Sequence, residues 1–92
     1  MTISRNRDIV EISRFRGIVI KMYFQRAEHN PPHIHVQHGE YAAAVGIHTK
    51  QILSGSLPSK VFEMVANWIT VNENKLLEMW ETQEFLQLPP LE

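Results

Sequence analysis

A chain of 92 residues allows one small domain, able to fold alone around a limited core. Its 43% hydrophobic and 21% charged residues are ordinary for a soluble globular protein. The absence of cysteine excludes a disulfide scaffold and thiolate zinc sites, so a metal would need histidine and carboxylate ligands.

A cysteine-free chain also fits a reducing compartment. The start, Met-Thr-Ile-Ser-Arg-Asn-Arg-Asp, has no apolar signal segment, and no apolar run approaches the ~18–20 residues of a membrane span. The expected location is the cytoplasm. The net charge of −1 is unevenly spread. Residues 1–39 carry six lysines and arginines against three acids, whereas residues 40–92 carry three lysines against seven glutamates. The basic half favours an anionic ligand.

Residues 1–11 read as a polar lead-in, either flexible or adding an edge strand, followed by a single domain over residues 12–92. Ile18, Ile20, Met22 and Phe24 alternate with Val19, Lys21, Tyr23 and Gln25, which predicts a strand over Gly17–Gln25. Residues 26–32 form a loop stiffened by Pro31-Pro32. His33–His38 is a second strand, Gly39-Glu40 a tight turn, Tyr41–His48 a third strand and Gln51–Ser54 a fourth. Ser56-Leu-Pro58 then opens a helix, with Ser56 as its cap and the proline in its first turn. Val61, Met64, Val65, Trp68 and Ile69 make the apolar stripe of this helix, and Asn72 ends it or caps the next. Leu76, Leu77 and Trp80 supply a second helix, which fades before Pro89-Pro90. Both tryptophans read as core. The expected fold is α+β, an antiparallel four-stranded β-meander followed by two C-terminal helices packed on one face.

Four of the five histidines lie in His29-Asn-Pro-Pro-His-Ile-His-Val-Gln-His38. Histidine titrates near neutral pH and serves as acid, base or metal ligand. Strand alternation puts His33 and His35 on one face and Ile34 and Val36 on the other. With a two-residue turn at Gly39-Glu40, His35 lies opposite Ala44 and His33 opposite Gly46. The histidine face then carries a shallow floor of Ala42, Ala44 and Gly46 and points away from the core. His38 has the other parity and falls outside the site, whereas Lys21 and Tyr23 can join it from the first strand.

Three readings compete. As a metal site, His33 and His35 stand roughly 6–7 Å apart by strand rise and could chelate a divalent transition metal, with His29 or Glu40 as third ligand. Pro-Pro-His-x-His-x4-Glu40 looks like the first half of a cupin metal motif, but lacks its glycines and its second half. As a catalytic site for a phosphodiester, His33 and His35 divide the base and acid roles, His29 orients them, and Lys21, Arg14 or Arg26 stabilises the phosphorane charge. His33-Ile-His-Val-Gln37 resembles the strand of histidine-triad nucleotidyl transferases, whose upstream strands and helix this chain lacks. As a non-catalytic interaction domain, the imidazoles only bond the backbone or pack against a partner.

Ile12-Ser-Arg-Phe15, Gly17-Ile-Val-Ile20, Met22-Tyr-Phe24, His29-Asn-Pro-Pro-His-Ile-His-Val36, Gly39-Glu40, Gly55-Ser-Leu-Pro58 and Trp80 carry a further resemblance. In order and spacing they are similar to a small bacterial family, domain of unknown function 4160. His-x-Pro-Pro-His-x-His-Val is its most distinctive string. The N-terminal residues and the Leu88-Pro-Pro-Leu91 tail depart from that pattern. The resemblance implies no reaction. It does imply a small protein partner encoded nearby (domain of unknown function 2442), a layout similar to toxin–antitoxin modules; taken with the basic, histidine-bearing half of the chain, RNA is an expected target. A homo-oligomer is also compatible with the sequence.

Overall fold

The computed structural model describes residues 9–24 and 31–91. Five antiparallel strands form one sheet in sequence order: β1 (Ile9–Phe15), β2 (Ile18–Tyr23), β3 (His33–His38), β4 (Tyr41–Gly46) and β5 (Ile52–Gly55). A single helix, α1 (Ser59–Thr82), covers one face. The fold is α+β with an antiparallel meander, as expected, but the expected four strands and two helices are corrected to five strands and one helix.

The additional strand is β1. It begins at Ile9, so residues 9–11 of the expected lead-in belong to the sheet, while residues 1–8 lie outside the described residues. Its pattern is hard to read because of a bulge. Glu11 pairs with Lys21 and Ser13 with Ile20, which leaves Ile12 extra, and Ile12 and Ser13 are consecutive yet both buried. The buried Ser13 hydroxyl has no hydrogen-bond partner. Ser13→Ala is therefore expected to raise stability by about 1 kcal/mol, because it removes a desolvated polar group with no bond to lose. A denaturant midpoint at or below that of the wild type would contradict this.

The hairpin turns are set by backbone chemistry. Arg16 and Gly17 have φ of 51° and 77°, the left-handed pair of a two-residue turn that matches strand twist. His38 Nδ1 donates to the Gly17 carbonyl at 3.1 Å and so holds this turn from β3. Gly55 has φ +81°, and a Cβ there would strike the Ala42 carbonyl, so only glycine lets β5 close onto β4.

One helix forms where two were expected because nothing interrupts it. The buried residues Val61, Val65, Trp68, Ile69, Leu76 and Met79 keep steps of three and four residues across Asn72. Asn72 neither ends nor caps a helix. Its amide donates back to the Trp68 carbonyl at 2.9 Å, inside the continuous ladder. Nor is Ser56 the cap. Pro58 occupies that position, and Phe62 N–H reaches its carbonyl at 2.9 Å, while Ser56 N–H bonds Ala42. Gln83 ends the helix in the left-handed conformation, φ 62°, and donates its N–H to the Met79 carbonyl.

The apolar stripe packs on Ile12, Ile18, Ile20, Met22, Ile34, Val36, Val45 and Ile47, all buried on the inner sheet face. Past Gln83 the chain turns back. Leu88 N–H bonds the Ile12 carbonyl at 2.8 Å and Trp68 Nε1 donates to the Pro89 carbonyl at 2.9 Å, which ties the tail to β1 at its bulge. This contact occupies part of an otherwise open sheet edge.

A second tie joins the β4–β5 connection to the middle of α1. Lys50 Nζ lies 2.8 Å and His48 Nδ1 3.3 Å from the Glu73 carboxylate. The Lys50 hydrogen bond lowers the Glu73 pKa from its ordinary 4.5, with further help from the Lys50 and His48 charges. A lowered carboxyl pKa contributes stability above the unfolded value, lost as pH falls through the folded one. Wild type should therefore exceed Glu73→Gln in melting temperature at neutral pH, with the gap closing below about pH 4.5. A gap that stays constant down to strongly acid pH would refute the ion pair as its source.

Candidate functional site

The outer sheet face, opposite α1, gathers the expected side chains. β3 pairs with β4 as His33 opposite Gly46, His35 opposite Ala44 and Gln37 opposite Ala42. This is the register the two-residue turn requires. Ile34 and Val36 point into the core and are 0% and 2% exposed, so parity sends His33 and His35 outward. On the other side of β3, Lys21 stands directly opposite His35. Its ammonium donates to Gln37 Oε1 at 3.3 Å, a neutral partner that leaves the positive charge on this face.

The rings form a run. Tyr23 and His35 have centroids 4.2 Å apart, His35 and His33 5.0 Å, and His33 and Trp80 5.1 Å. Trp80 arrives from the last turn of α1. Sequence reading assigned Trp80 only to the core. It is half-buried and packs against the core, yet one side also meets His33. Nothing in its helical spacing signals this contact.

The two imidazoles are held differently. His33 Nδ1 lies 2.9 Å from the Pro31 carbonyl. A carbonyl only accepts, so this nitrogen carries hydrogen and Nε2 is the one left to exchange a proton. Half-burial of His35 pushes its pKa below the ordinary 6.5, and the nearby His33 and Lys21 add to the effect. His35 is thus a neutral imidazole at physiological pH, able to accept a proton.

Two open hollows flank His35. One, of about 210 Å³, has walls of Lys21, Tyr23, Gln37 and Ser54 over Ala42 and Ala44. The other, of about 320 Å³, has Pro31, His33, Leu53 and Ser54 around Ala44. The small residues of β4 create both, since any larger side chain at Ala44 would fill the space beside His35.

Other expected participants lie elsewhere. Arg14 is on the outer face of β1, but its guanidinium is bound by Glu11 in two contacts of 2.9 and 3.0 Å. It lines a separate hollow with Gln87 and Pro90. His38 faces the β1–β2 turn, as its parity requires. His29 and Arg26 lie outside the described residues. Among the described residues no three histidine, aspartate or glutamate side chains converge to hold a metal ion, so Glu40 does not complete a chelate with His33 and His35. No helix among the described residues is long and apolar enough to cross a membrane.

Comparison with known proteins adds a family and nothing finer. A family model described as a domain of unknown function, DUF4160, matches residues 17–81. No curated protein matches the chain, and no solved structure does. The family match runs from the β1–β2 turn through both histidines of the outer face to the residue after Trp80, most of the chain, and on that span this protein belongs to the DUF4160 family.

Proposed function

We propose that this protein is one component of a two-protein, toxin–antitoxin-like module and that its outer sheet face cleaves RNA. The observation that carries this reading is the juxtaposition of a neutral, half-buried His35 with His33 on one side and Lys21 opposite it. The toxin–antitoxin role draws on the partner layout implied by family resemblance.

The chemistry needs no group from outside the chain. His35 accepts the proton of a ribose 2′-hydroxyl as its oxygen bonds to the adjacent phosphorus. The bond from phosphorus to the 5′-oxygen breaks, and His33, protonated at Nε2, delivers a proton to that leaving oxygen. Lys21 stabilises the added negative charge on the phosphorane. The products are a 2′,3′-cyclic phosphate and a free 5′-hydroxyl. Protons balance, and exchange with solvent resets the two imidazoles.

Expression of the wild type is expected to slow growth, and the purified protein to cut RNA with cyclic-phosphate ends even in a chelator. The double variant His33→Ala/His35→Ala should do neither. Uncut RNA, or equal cutting by the folded double variant, would remove the catalytic reading and leave a non-catalytic interaction domain. Activity abolished by the chelator and restored by a transition metal would replace it with the metal reading.

A further inference from the structure

The two hollows beside His35 differ in chemistry, and the difference has a direction. The hollow towards β2 is mixed and carries the charge: Lys21 and Gln37 stand beside Tyr23 on one wall, with Ser54 on the other. The hollow towards the start of β3 is mostly apolar, with Pro31, Leu53 and Ala44 beside the His33 ring, and Ser54 lines it as well. Leu53 is 45% exposed on β5, so its side chain is open to a ligand. Trp80 backs the His33 ring at 5.1 Å, so this ring has support behind it. The two hollows share His35, Ala44 and Ser54 and so form one trough of two parts.

Resting on the proposed RNA cleavage, we infer that the trough takes a single-stranded nucleotide in two parts: a base against Pro31 and Leu53, and its phosphate against Lys21 and Ser54, with His33 kept for the leaving oxygen. A base needs a flat apolar surface and tolerates any sequence when it stacks. A phosphate needs a cation and hydroxyl or amide donors. His35 lies between the two, at the position of the ribose that joins base to phosphate. That order selects single strands, because a duplex keeps its bases stacked on one another and unavailable to the wall.

Short single-stranded DNA tests this with an uncleavable probe, since it keeps base and phosphate but lacks the attacking hydroxyl. Wild type should bind a base-bearing oligonucleotide about tenfold more tightly than the abasic backbone of equal length, and a duplex more weakly than the single strand. Leu53→Ser, at an exposed site that leaves the core intact, should erase the preference for bases without changing abasic binding. Lys21→Gln should weaken both probes together. Equal binding of the two wild-type probes, or equal loss on both in Leu53→Ser, overturns the two-part trough. If RNA is still cut in that case, only this inference falls. If RNA is neither bound nor cut, the proposed function falls with it.

Discussion

His35→Ala is expected to lower RNA cleavage by about 100- to 10,000-fold, the usual worth of a positioned general base. The variant should stay folded, because His35 lies on the outer face and its neighbours in the core, Ile34 and Val36, are untouched. Circular dichroism and the thermal midpoint would check that. Loss of cleavage in a folded variant separates a chemical role from a structural one, as does the pH profile. Burial, with help from the His33 and Lys21 charges, keeps His35 neutral below its ordinary value of 6.5. The acid limb of the rate should accordingly lie below pH 6.5, where protonation of His35 removes the base.

Lys21→Met removes one of the charges that disfavour protonation, so it should move that limb to higher pH as well as weaken phosphate binding. The same shift touches the fold. A histidine whose folded pKa is depressed adds stability that is present above 6.5 and lost as pH falls through the folded value. His35→Gln should lack this acid sensitivity. An acid limb above pH 6.5 in the wild type would show that His35 is not the titrating base.

The residues that position this site differ in how plainly the sequence announces them. Strand period and one short turn suffice for the His33–Gly46 and His35–Ala44 pairs, because a half-buried strand has only one parity that buries Ile34 and Val36. Lys21 and Tyr23 follow from the same alternation on β2. β1 is harder to read because the bulge at Ile12–Ser13 puts two successive residues inward and spoils the period. The single helix is masked by Asn72, whose preference for caps is overridden once its amide bonds back to Trp68. Arg14 is engaged by a local neighbour instead: Glu11, three residues earlier, reaches it across the bulge. Trp80 meeting His33 is a contact between α1 and the start of β3, distant in sequence, that no local pattern encodes.

The largest expected loss of stability comes from Trp68, which holds three parts of the chain at once. It is 1% exposed on α1, its ring lies 6.2 Å from Phe15 of β1, and its Nε1 donates to Pro89 of the tail. Trp68→Ala removes the ring and leaves a cavity, at a cost of about 3–5 kcal/mol. A domain of this size has about 5–14 kcal/mol in total, so the thermal midpoint should drop by about 15–30 °C. Trp68→Phe separates packing from tethering. It keeps most of the buried ring but has no donor for Pro89, so its global cost should be nearer 1–2 kcal/mol. Its local effect should be larger than that figure suggests. With the Pro89 bond gone, the tail retains the Leu88–Ile12 hydrogen bond and the contacts of Phe85, Leu88 and Leu91 with the core. Amide exchange at Leu88 should then accelerate more than exchange at core amides such as Ile20. Equal acceleration at both amides would mean that the tail opens only when the whole domain unfolds, and that Trp68 stabilises the fold through its ring alone.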